Sequence, residues 1–284
     1  MRTSNPVLTR LSQAAERERA AGYAPAGPYG QPGYPPPGYP PPPGYGPAYP
    51  TAGTYAPAPS VAAPMTIDDV VVKTVMLLAV TGLSAVAAWN LVPDALLGAA
   101  WLGSALVGLV LGLIISFSRV ANPALVVAYA VVEGAFVGLV SKFFQEIAGY
   151  QGIVLQAVIA TFGVFFLMAM LYKARVIRAT PKFVRGMIAA MVGIFAVMMI
   201  NLVLALFGVE TGLRSNGALG ILFSLVCIVV ASLSFVLSFH EIEEGVRMGL
   251  PQRYAWTAAF GILVSLIWLY LEFLRLLSYF QGDD

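Results

Sequence analysis

From about residue 70 onward the chain alternates long apolar runs with short polar interruptions, and the length of the runs identifies their solvent. Crossing ~30 Å of hydrocarbon takes about 20 apolar residues at about 1.5 Å each. Seven stretches are long enough: 70–92, 95–118, 123–145, 152–173, 184–208, 217–240 and 256–280. Between them stand Val92-Pro93-Asp94, Arg119 to Pro123, Ala148 to Gly152, Thr180-Pro181-Lys182, Thr211 to Gly217 and Gly249-Leu250-Pro251. Glycine, proline and asparagine of this kind punctuate helices, and links so short force successive helices to run antiparallel. Thr66, Asp68 and Asp69 supply an N-cap and an acidic first turn for the first helix. The pattern predicts an all-α membrane protein, a seven-transmembrane-helix domain over 65–284.

Residues 1–64 follow another rule. Four arginines (Arg2, Arg10, Arg17, Arg19) precede a Pro/Gly/Tyr segment with a recurring PGYP unit. No apolar core of a secretory signal is present there, so the tail is expected to stay where it is made, in the cytoplasm. Such a composition buries too little apolar surface to offset chain entropy, and reads as a disordered arm with polyproline II character. Its PPPGYPPPP stretch suits a solvated spacer, or docking into an aromatic groove.

Composition agrees with the runs. Hydrophobic residues make up 59% of the chain and charged ones 11%, with a mean hydropathy of +0.81, where soluble domains carry about 25% charged residues. That excludes a water-soluble globule. The net charge of +2 is scattered between apolar runs, which argues against nucleic-acid binding. The single cysteine, Cys227, lies inside an apolar run and excludes an intrachain disulfide.

Basic residues set the expected orientation. Arg2, Arg10, Arg17, Arg19, Lys73, Arg119, Lys173, Arg175, Arg178, Lys182, Arg185, Arg247 and Arg253 fall at the N-terminus and in even-numbered loops, against Lys142, Arg214 and Arg275 opposite. Retention of lysine and arginine on the inside puts the N-terminus in the cytoplasm and the C-terminus outside. Gly108/Gly112 and Gly134/Gly138 let helices approach closely. Packing within a monomer is the expected use, homodimerisation the lesser one.

An ionisable side chain in hydrocarbon costs at least about 2.5–3.5 kcal/mol, which makes each one a functional candidate. Glu133 lies ~15 Å into the third run, near the midplane, where it must be protonated, face water or meet a charge on another helix. Glu272 and Arg275, at i and i+3, share a helix face and can pair. Ser238-Phe239-His240-Glu241-Ile242-Glu243-Glu244 brings the only histidine beside three carboxylates, either a pH-sensing group or a solvated helix end. The string HEIEE lacks the second histidine of a zinc-protease motif, and no GxSxG, Walker loop or CxxC is present, so no enzyme and no cofactor is expected.

VLSFHEIEEGVRMGLPQRYAW, leading into the last run, and WLYLEFLRLL within it resemble the Bax inhibitor-1 (transmembrane Bax-inhibitor-motif) family, in its bacterial YccA-like branch. The resemblance covers about Thr66 to Tyr279. It implies a bundle with the last helix central, a bacterial cytoplasmic-membrane location, and a pH-sensitive calcium leak controlled by two acids. One acid falls on Glu272, where calcium would bind or pass; the other falls on Ser238, which is not acidic. His240, Glu241 or Glu133 would then take the second position. Counting from a turn at Leu250, Ser238 and Glu272 differ in depth by ~15 Å.

Two functions follow as expectations. One is a cation leak, for which carboxylate oxygens suit calcium, gated by protonation of the intramembrane acids. The other is a non-transporting membrane regulator that binds a membrane protease or other assembly through the tail or the Lys173–Arg185 loop.

Overall fold

The structure, a computed structural model, describes residues 63–118, 120–208 and 217–282. The expected tail over 1–64 lies outside this set except for its last two residues, as do Arg119 and Arg214. Among the described residues the fold is all-helical, and seven helices are long and apolar enough to cross a membrane.

In chain order these are α1 (Ile67–Leu91), α2 (Leu97–Phe117, entered through a 3-10 turn Asp94–Leu96), α3 (Pro123–Lys142, continued by a π-helical turn Phe143–Ile147), α4 (Ile153–Lys173), α5 (Pro181–Leu206), α6 (Ala218–Arg247) and α7 (Tyr254–Gln281). All seven expected runs are present. The largest departure is α6, which continues seven residues past the expected end at 240. Hydropathy stops at the first charged residue, whereas helical hydrogen bonding goes on, helped here by the Glu244–Arg247 pair one turn apart. HEIEE is therefore helix and not a loose mouth.

Local chemistry starts each helix. Thr66 and Asp69 form a reciprocal capping box at α1. Asn122 caps α3 ahead of Pro123, and Thr180 receives the Phe183 amide beside Pro181 at the start of α5.

The last helix is central, as expected. In its apolar window 56% of residues are buried, against 11% for α2 and α5, and it touches α1, α3, α4 and α6. Close approach of α1 and α3 depends on glycine: a methyl at Gly134 would meet the Thr81 backbone, and one at Gly138 the Ala85 backbone. Gly112 faces the Tyr129 ring and Gly108 the Glu133 carboxyl, so both glycine pairs are used inside the monomer.

At the end where α1 and α7 begin, the segment before α1 is tied to the α6–α7 turn. Met65 N donates to Leu250 O at 2.7 Å, Gln252 N to Ala63 O at 2.9 Å, and the Gln252 amide to Asp69 at 2.5 Å. Lys73 lies 5.7 Å from the centre of the Trp256 ring. Gly249, at φ 65°, makes the sharp turn that brings these groups together.

Candidate functional site

Glu272 lies ~27 Å along α7 from Tyr254. It is 1% exposed, and Arg275 Nη1 donates to both its carboxylate oxygens at 2.9 Å. The i, i+3 spacing read from the sequence thus forms a buried pair. A carboxylate out of water needs both a counter-charge and hydrogen bonds, and here one guanidinium supplies both. A further donor comes from α6: Ser224 Oγ gives Glu272 Oε2 a hydrogen bond of 3.3 Å.

The motif match had paired Glu272 with position 238. Instead, the Ser238 hydroxyl donates to Ser234 O at 3.4 Å, and the α6 side chain that reaches Glu272 is Ser224. Helix geometry explains the difference. Glu272 lies 22 residues beyond Leu250, and the same count back along α6 reaches Ile228, one turn from Ser224 and far from Ser238.

Ser238 has a different setting. A cavity of about 570 Å³ opens between α2, α3, α5, α6 and α7, and its polar lining is Ser116, Tyr129, Glu133, Ser234, Ser238, Glu241 and Ser265. Glu133 is half-buried, Glu241 is exposed at the cavity edge, and Ser234 Oγ donates to Ser265 Oγ at 3.1 Å deeper in. Depth along the helices orders these groups. Glu241 is ~9 Å from the end of α6, Glu133 is ~15 Å along α3, and Ser265 is ~16 Å along α7. Glu133 and Glu241, far apart in sequence, therefore share one cavity, whereas Glu272 does not line it.

Glu272 still belongs to the same axis. It follows Ser265 by seven residues, close to two turns, so both occupy one face of α7 about 10 Å apart. Trp268 lies on that face between them. The arrangement is a largely apolar cavity with two carboxyl groups in its lining, a tryptophan layer, then an ion pair in the far half of the bundle.

The histidine cluster is divided. Glu241 lines the carboxyl cavity, His240 and Glu243 line a second cavity, and Glu244 pairs with Arg247 at 2.5 Å. Glu243 also accepts a 2.5 Å bond from the Tyr172 hydroxyl. Among the described residues no three His, Cys, Asp or Glu side chains gather as a metal site. Sequence reasoning missed Ser224, Ser234 and Ser265, because serine is an ordinary residue in a membrane helix and carries no charge to flag it.

These features define a multi-pass membrane protein with carboxyl groups in its interior. A family model described as Bax inhibitor 1 like matches residues 5–282, and the chain belongs to that family. The match reaches well into the tail, which the motif resemblance, starting near Thr66, had left out. A comparison with curated proteins returned no match.

Proposed function

We propose that this protein is a pH-sensitive cation leak of the Bax inhibitor-1 type, of the YccA-like branch, with calcium as the permeant ion. The observation that carries the reading is the cavity lined by both Glu133 and Glu241, with Glu272 two turns deeper than Ser265 on the same face of α7. Carboxylates cost several kcal/mol in hydrocarbon, and two of them in the lining of one cavity attract cations into it. Calcium suits the site because it takes hard oxygen ligands in flexible geometry, and the surrounding Ser234, Ser238 and Ser265 hydroxyls add neutral oxygens.

Beyond the cavity, Arg275 sets the sign of the barrier. Paired with Glu272 its charge is balanced; with that carboxylate removed the layer carries a bare guanidinium that repels cations. Protonation of Glu133 and Glu241 removes the attraction at the entrance. Both titrations act the same way, so acid closes the path and alkali opens it.

The lysine and arginine bias supports a bacterial cytoplasmic membrane with the N-terminus and the carboxyl cavity facing inward. The test is calcium entry into vesicles holding the purified chain, followed between about pH 5 and pH 8. Flux that rises with pH and falls in Glu133→Gln and Glu241→Gln supports the reading. Flux no greater than that of protein-free vesicles at every pH overturns it.

A further inference from the structure

A second cavity, of about 1030 Å³, lies mainly between α1, α4 and α6, and its lining shares no residue with the carboxyl cavity. It is at or above the upper end of the roughly 300–1,000 Å³ usual for ligand pockets. Its wall and its mouth differ sharply in chemistry.

The wall is aromatic, with Phe162, Phe165 and Phe166 from α4 and Phe239 from α6. The mouth is basic: Lys173, Arg175 and Arg178, all exposed, come from the end of α4 and the turn after it. Glu243 is the carboxylate of the lining, and it is occupied by the Tyr172 hydroxyl. Among the described residues no ion pair engages the three cations. Level with the outer end of the wall stands Thr74, 6% exposed, whose Oγ1 has no hydrogen-bond partner among the described residues. A buried hydroxyl without a partner is costly, and this one lines a cavity.

Depth puts these features on two levels, with Thr74 at the outer end of the wall. The basic residues are at the helix ends, Thr74 is ~10 Å along α1, and Phe165 is ~12 Å back along α4 from Lys173. Phosphate, ester carbonyl and acyl chain are stacked in that order in a bilayer leaflet. We propose that this cavity binds one anionic phospholipid of the surrounding bilayer, with its phosphate at Lys173, Arg175 and Arg178, an ester carbonyl on the Thr74 hydroxyl, and an acyl chain along the phenylalanine wall. Basic pockets between membrane helices recognise anionic headgroups in this way, and guanidinium groups match phosphate oxygens in pairs.

Charge complementarity selects this occupant over others. A neutral lipid leaves three cations unpaired, and a free phosphate leaves the aromatic wall bare. This chain's own tail fits poorly, because residues 20–62 contain no Asp or Glu. The site is independent of ion conduction.

Native mass spectrometry of the full-length protein in detergent tests the proposal, comparing phosphatidylglycerol with phosphatidylcholine of the same acyl chains. The expected result is one retained phosphatidylglycerol per chain, preferred by about tenfold or more. Arg175→Ala with Arg178→Ala should bring retention down to the phosphatidylcholine level. Arg178→Gln alone, carried in parallel in case the double variant does not fold, should reduce it in part. Thr74→Val should lower retention of both lipids, and Lys182→Ala, in the first turn of α5 and outside the cavity, should leave it unchanged. Four results would overturn the assignment: equal retention of the two lipids, undiminished phosphatidylglycerol binding in the arginine variants, displacement of the lipid by soluble glycerol phosphate, or increased binding once residues 1–58 are removed. The third would assign the cavity to a free anion and the fourth to the tail.

Discussion

Arg275 donates to both carboxylate oxygens of Glu272 at 2.9 Å, from one turn further along the same helix. The acid in the far half of the bundle is therefore balanced from within α7, and its contact with α6 is a neutral hydroxyl, Ser224. Two consequences follow for charge in the path. Glu272→Gln leaves a guanidinium alone and should lower calcium flux by about tenfold or more, while Arg275→Gln leaves a carboxylate alone and should raise it. Breaking a buried pair costs about 3–5 kcal/mol, so both variants should also melt earlier in detergent. Flux changes of the same sign in both variants would contradict the charge assignment.

Acidity should act in one direction. Protonation of Glu133 and Glu241 removes the net negative charge of the path. Calcium entry should therefore decline steadily on acidification, and the double variant Glu133→Gln with Glu241→Gln should show a lower flux and a flatter pH profile. Stopped-flow entry into dye-loaded vesicles reads both quantities, and a flux that climbs as pH falls would reject the scheme.

Glycine at the α1–α3 contact should be irreplaceable. Gly138→Val drives a side chain into the Ala85 backbone and should lower the thermal midpoint, since overpacking costs about 1–3 kcal/mol or more. Gly163→Ala, on α4 with open space around it, should be neutral or mildly stabilising because alanine favours helix by about 0.5–1 kcal/mol. Thermal unfolding followed by size-exclusion chromatography separates the two, and a stable Gly138→Val protein would refute the packing account.

Removal of residues 1–58 distinguishes a leak from a regulator. The carboxyl cavity and the Glu272 pair are built wholly from residues 105 onward, so flux should be unchanged in the truncated chain. Loss of flux with intact helices, measured by circular dichroism, would show that the tail is part of the conducting machinery.

The Glu272–Arg275 pair was readable from sequence because both partners lie on one helix, where a spacing of three residues fixes their relative direction. Ser224 was not, although the depth count from the α6–α7 turn pointed within a turn of it. Glu133 stood out as a charge in an apolar run, yet nothing in the chain order joins it to Glu241. Likewise, His240 and Glu241 are neighbours in sequence but line different cavities, because consecutive residues on a helix point about 100° apart.

The order of apolar runs by itself determined that the chain is a membrane protein, where its seven helices lie to within seven residues at each end, and how they alternate. Hydrocarbon tests each run by length and polarity, both of which are local. Which side chains meet was decided only by the tertiary structure. These helices are apolar on nearly every side, so no stripe marks the inward face, and rotation about each axis is settled by packing such as that of Gly134 and Gly138 on α1. That rotation gathers Glu133, Glu241 and four serines around one cavity and leaves the phenylalanines with three unpaired basic residues around the other.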